Sequence, residues 1–221
     1  MKRILVFGDS NSWGYTDEDN GQRYEKRWPI LLSQELIQKG FNTEIIEDCL
    51  PGRTTNIDDP QDGIHLNGAK VLKSSLLSHS PIDLVILMLG TNDLKFRFQR
   101  TAENIADGIK ELIQIVLDTN SGSGGWHDVN KSNLVVICPP SLGEKSYDPN
   151  WINFKEWEGG LEKSTELHFS FEKVCSQMGV HLIDANEFCQ SSSIDPIHWS
   201  KKMHLKFSEN LANIIDQKIK L

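Results

Sequence analysis

Four short blocks of this chain hold side chains that could together move an acyl group. The first is Gly8-Asp9-Ser10-Asn11, directly behind the apolar run 4–7. The others are Pro51-Gly52-Arg53-Thr54-Thr55, Gly90-Thr91-Asn92-Asp93 and Asp195-Pro196-Ile197-His198. A serine hydroxyl is a weak nucleophile near neutral pH and needs an adjacent base. An imidazole is the natural base, and His198 supplies one. Asp195, three residues earlier, can fix the imidazole tautomer from within the same turn, and Pro196 restricts Asp195 to extended geometry. The oxyanion that develops needs donors aimed at it. Candidates are the backbone N–H of Ser10, that of Gly52, which lacks a Cβ and can approach a substrate closely, and the Asn92 side-chain amide.

Each block alone has a plainer reading. Asp-Ser-Asn is ordinary helix-cap composition. Gly-Arg-Thr-Thr is an ordinary turn, and a lone Asp-x-x-His is most often a solvated one. Gly-Thr-Asn-Asp is turn chemistry plus a cap, in which Asp93 braces a loop rather than reacts. Only their convergence makes a site, so the elements that carry them decide the matter.

Residues 4–7, 43–47, 82–89, 134–138 and 180–183 read as strands; the third is nearly continuous apolar sequence, as in a parallel strand covered on both faces. Between and after them, 28–39, 69–77, 101–117, 161–178 and 200–219 read as helices, with Thr101 a plausible cap. Strand alternating with helix argues for a parallel sheet with helices on both sides. In such a sheet the first three blocks share the edge formed by the strands' carboxyl ends. Residues 121–125 read as a surface insertion. The stretch 141–157, with Tyr147, Trp151, Phe154 and Trp157, is either a wall over a site or a loop pinned by its aromatics.

Composition narrows the function classes. A chain of 221 residues fits a single domain over 1–221. Its net charge of −8 leaves no basic stripe for a nucleic acid. No apolar run nears the roughly 20 residues of a membrane span, and the run after Met1-Lys2-Arg3 is too short for a signal peptide, so a cytoplasmic protein is expected. The four cysteines form no CxxC pair, and Cys138 reads as a reduced, buried thiol. His198 and His204 lack a third ligand at a convincing spacing, so no catalytic metal is expected. His65, His79, His127, His168, His181 and His204 read as structural or exposed.

Taken together, the blocks resemble the SGNH hydrolase superfamily, also called GDSL esterases. Its motif Ser, Gly, Asn and His match Ser10, Gly52, Asn92 and His198 in order and spacing. The stretches 52–60 and 88–93 and Glu158-Gly159-Gly160 are similar to the bacterial arylesterase/acyltransferase branch. The resemblance implies a three-layer α/β/α sandwich with a five-stranded parallel sheet, a flavodoxin-like arrangement. It also implies a serine esterase for short-chain acyl, acetyl or aryl esters, working through an acyl-enzyme whose acyl group some members of the branch also pass to alcohols or peroxide. Ser10 would be the nucleophile, His198 the base, Asp195 its orienter, and Ser10, Gly52 and Asn92 the oxyanion hole. No cofactor is implied; a homo-oligomer is, and Trp13, Tyr15, Lys95, Trp151 and Ile197 match positions near the acyl channel. Two departures stand out: Asn11 replaces the Leu that usually follows the serine, and 199–207 lacks a Gly carried by many relatives. A polar Asn11 must find a partner or face solvent. The competing reading is a binding module on the same scaffold that holds an acyl or sugar ligand without turning it over.

Overall fold

The structure is a computed structural model that describes residues 1–16, 18 and 21–219. Five parallel strands form one sheet: β1 (Lys2–Gly8), β2 (Thr43–Cys49), β3 (Leu84–Met88), β4 (Asn133–Cys138) and β5 (His181–Asp184), in the order β2-β1-β3-β4-β5. The helices are α1 (Ser10–Trp13), α2 (Trp28–Gln38), α3 (Gly68–His79), α4 (Ala102–Asp118), α5 (Phe154–Trp157), α6 (Gly160–Met178) and α7 (Lys201–Lys218).

Period-two alternation along the strands sorts the layers. Leu5, Phe7, Val85, Leu87, Val136 and Cys138 face a core closed by Leu72 and Leu76 of α3, the α4 stripe, and Leu167 and Phe171 of α6. Ile4, Val6, Ile86, Met88, Val135 and Ile137 face the opposite core, closed by Trp28, Leu32 and Leu36 of α2 and by Phe207, Leu211 and Ile215 of α7. Helix α4 shows how local sequence sets this up. Thr101 and Asn104 exchange side-chain-to-backbone hydrogen bonds in a capping box, and Ile105, Ile109, Leu112, Ile113 and Val116 are buried on one face. Truncating one such aliphatic side chain to Ala typically costs about 2–5 kcal/mol.

The expected three-layer sandwich is therefore what the chain adopts, with shifts at element ends. The third strand is shorter than 82–89, because the Ile82 N–H leaves the ladder for the Ser121 carbonyl (2.7 Å). The fifth begins one residue late, because the Val180 N–H closes the end of α6 on Cys175 O (3.0 Å). Among the described residues no helix is long and apolar enough to cross a membrane.

The connections reverse direction between β1 and β3, whose carboxyl ends lie side by side with Gly8 opposite Met88. Such a switch point leaves a crevice beyond the strand ends. Ser10, Gly52 and Asn92 follow β1, β2 and β3 there.

Candidate active site

Strand β1 ends abruptly because α1 folds back over its last residue. A Cβ on Gly8 would lie 2.6 Å from Ser12 Cβ, so only glycine permits the turn. Asp9 caps α1, its Oδ1 accepting from Asn11 N–H at 3.0 Å, and Ser10 is the first helical residue. The expected helix cap thus exists, and Asp9 supplies it.

Ser10 Oγ lies 3.0 Å from His198 Nε2, across 188 positions of sequence. His198 Nδ1 lies 2.7 Å from Asp195 Oδ2. The other carboxylate oxygen, Asp195 Oδ1, accepts the N–H groups of Ile197 (2.8 Å) and His198 (3.2 Å). One Asp-Pro-Ile-His turn therefore locks the carboxylate and presents the imidazole. Burial alone would raise the Asp195 carboxyl, but the hydrogen bond and charge of His198, with those two N–H groups, hold it below the usual carboxylate range. The Tyr15 ring stacks on the imidazole, centroids 4.0 Å apart. Hydroxyl, imidazole and carboxylate in this order can pass a proton from Oγ to Nε2 while the charge stays paired.

Around them lies a cavity of about 250 Å³ lined by Ser10, Gly52, Asn92, Asp195 and His198 together with Tyr15, Pro51, Lys95, Asn153, Glu156, Trp157 and Ile197. Gly52 holds φ +87° in a turn closed by Arg53 N–H to Leu50 O (3.1 Å), and a Cβ there would press to 3.2 Å from Leu66 Cδ1. Asn92 Nδ2 donates to Arg53 O (3.2 Å), which ties the third block to the second. Buried Arg53 in turn lies 4.0 Å above the Phe7 ring and pairs with Asp48 Oδ1 at 2.7 Å. Asp93 braces a loop, as its type suggested: it accepts from Thr55 N (2.9 Å), Thr55 Oγ1 (2.6 Å) and Arg100 Nη1 (2.6 Å).

Of the residues matched to the acyl channel, Tyr15, Lys95 and Ile197 line the cavity. Trp13 and Trp151 stand outside its lining. The guanidinium of Arg23 covers the Trp13 ring at 5.4 Å, and Trp151 packs against the main core. The 141–157 stretch does form a wall, through Asn153, Glu156 and Trp157. Sequence reasoning assigned Asn153 and Glu156 no part in the site. Glu156 reaches it through ion pairs with Lys95 Nζ (3.1 Å) and Arg97 Nη1 (2.7 Å), which link segments some 60 positions apart.

Asn11 finds its partner inside the protein: its Nδ2 donates to Ile197 O at 3.2 Å. His204 is structural, buried with Nδ1 accepting from Trp28 N–H (3.2 Å). The four cysteines are free thiols.

Comparison with known proteins agrees with this architecture. The inhibitor-bound aryl esterase of M. smegmatis is 38% identical, covers 97% of this chain and 98% of its own, and superposes with a TM-score of 0.87. Est24, a carbohydrate acetylesterase from Sinorhizobium meliloti, is 35% identical over the same shares, with a TM-score of 0.86. An arylesterase of Vibrio mimicus is 29% identical over 147 residues, which span 66% of this chain and 60% of that relative's length. The GDSL-like lipase/acylhydrolase family model matches residues 6–206, and the chain belongs to that family.

Proposed function

We propose that this protein is a serine carboxylic-ester hydrolase acting on small acetyl, short-chain acyl or aryl esters. The observation that carries the reading is the run of two short contacts, Ser10 Oγ to His198 Nε2 and His198 Nδ1 to Asp195 Oδ2. In the reaction Ser10 Oγ attacks the ester carbonyl while His198 Nε2 takes its proton and Asp195 steadies the imidazolium. The N–H groups of Ser10 and Gly52 and the Asn92 amide face the oxyanion. Collapse expels the alcohol, which receives the proton from His198 and leaves an acyl ester on Ser10. Water, deprotonated by the same imidazole, attacks that ester and releases the acid with Ser10 restored. An alcohol in place of water would carry the acyl group away as a new ester.

The small cavity supports short acyl groups over long ones. The names of the two solved relatives, an aryl esterase and a carbohydrate acetylesterase, support the same range. Exposed Phe96 and Ile152 adjoin the lining residues Lys95 and Asn153 in sequence, which supports a homo-oligomer packed around the mouth. Ser10→Ala tests the core of the reading: hydrolysis of p-nitrophenyl acetate should fall on the order of 10⁶-fold with the fold intact. Wild type should form a covalent organophosphate adduct at Ser10. A folded protein that takes no adduct and turns over no ester would instead be a binding module.

A further inference from the structure

On the far side of the sheet's carboxyl edge, three potential metal ligands from three elements meet. Cys138 ends β4, Asp184 ends β5 directly beside it in the parallel register, and His168 projects from α6. Their Sγ, carboxylate oxygen and ring nitrogen all lie within 4.8 Å of one another. None of the three lines the Ser10 cavity.

Two details distinguish this group from an ordinary ion pair. His168 Nδ1 is 3.3 Å from Asp184 Oδ2, yet the nitrogen is buried and makes no hydrogen bond. Nitrogen and oxygen ligands on one tetrahedral zinc, each about 2.0 Å from the metal, also sit about 3.3 Å apart. The second detail is the carboxylate's other oxygen. Asp184 Oδ1 accepts from Asn186 N (3.0 Å) and Asn186 Nδ2 (2.8 Å), which fixes the plane of the group and leaves Oδ2 for a further partner. Asn186 is itself held by Ser141 N–H donating to its Oδ1 (2.8 Å). Metal-ligating carboxylates are oriented by outer partners in just this way.

We propose that Cys138, His168 and Asp184 bind a zinc ion, with water as the fourth ligand. Sulfur, imidazole nitrogen and carboxylate oxygen are the donors zinc takes. On binding, the Cys138 S–H bond breaks, the S–Zn bond forms and one proton goes to solvent. The ion fastens the carboxyl ends of β4 and β5 to α6. Beyond those ends begin the two segments that carry the cavity wall and the Asp195-His198 turn, so the ion acts as a structural clip for the site.

Cobalt(II) titration of the reduced full-length protein tests this, since a thiolate ligand gives a sulfur-to-cobalt charge-transfer band in the near ultraviolet. The expected result is one cobalt per chain, tetrahedral visible bands, the charge-transfer band, and displacement of all three by zinc. Cys138→Ser should lose the charge-transfer band. His168→Ala should weaken binding at least about 10-fold, and Asn186→Ala about 10-fold with the band retained. Should Cys138→Ser fail to fold, the partly exposed His168 still provides a readable variant. Absence of the band in wild type, its persistence in Cys138→Ser through neighbouring Cys175, or unchanged affinity in His168→Ala would overturn the assignment.

Discussion

The side-chain amide of Asn11 donates to the carbonyl of Ile197, one residue before His198 and 186 positions from its own place in the chain. The helix turn that holds Ser10 is thereby tied to the turn that holds the imidazole. Asn11 Oδ1, by contrast, is buried without a partner. Replacing Asn11 by Leu removes that orphan oxygen but leaves Ile197 O unpaired, so the two effects on stability oppose each other. The effect on Ser10–His198 geometry has no such offset. Asn11→Leu should lower kcat for p-nitrophenyl acetate by about 10- to 100-fold with KM little changed, since small misplacements of reacting groups cost that much. Steady-state kinetics beside a melting curve check this; an unchanged kcat would free the tie of any role in the chemistry.

Asn92 and Gly52 should fail in different ways. On the proposed mechanism, Asn92→Ala should delete one donor toward the oxyanion, at a cost of about 3 kcal/mol in the barrier, or roughly 10²- to 10³-fold in kcat. Its hydrogen bond to Arg53 O is lost as well, so a modest fall in stability accompanies it. Gly52→Ala keeps the backbone N–H but forces a Cβ into φ +87° beside Leu66, which should show first as a lower melting temperature. If Asn92→Ala left kcat within a factor of two, Asn92 would be a brace for the second block and no more.

Two buried groups make opposite demands on pH. Burial pushes the Asp9 carboxyl up from 3.8 to about 6, against the Asn11 N–H and the charge of His198. Burial pulls His204 down from 6.5 to about 4. Between about pH 4 and 6 the folded state holds a proton on Asp9 that the unfolded chain releases, so that contribution falls as pH rises. Over nearly the same range the unfolded chain protonates His204 while the folded one does not, so that contribution rises. Each is worth about 3 kcal/mol, and in the wild type they largely cancel. Asp9→Asn should therefore make stability climb steeply from pH 4 to 6.5, and His204→Gln should make it decline. Urea unfolding at several pH values reads both slopes; parallel slopes in the two variants would contradict the account.

Local pattern carried a large part of this protein. The apolar runs before Gly8 and before Gly90, the stripe of α4 with its Thr101 cap, and the strand–helix alternation are short-range signals. Burial of one face and capping of one end act within a few residues, so they are readable without coordinates. The Asp195-Pro196-Ile197-His198 turn is legible for the same reason, since the carboxylate and the imidazole it holds are three positions apart.

The chain by itself determined which groups could do chemistry and that three of their blocks would end strands of one parallel sheet. Tertiary structure alone decided which of them meet. The 3.0 Å contact between Ser10 and His198, the Asn11 tie to Ile197, the Glu156 bridge between Lys95 and Arg97, and the Cys138-His168-Asp184 group all join distant segments. Residue types fix what such pairs can do, but their separation depends on strand order and on how the helices seat against the sheet. Those are set by packing over the whole core. Trp13 and Trp151, matched to the acyl channel by resemblance, stand outside the cavity's lining: Arg23 covers one ring and the core packs against the other.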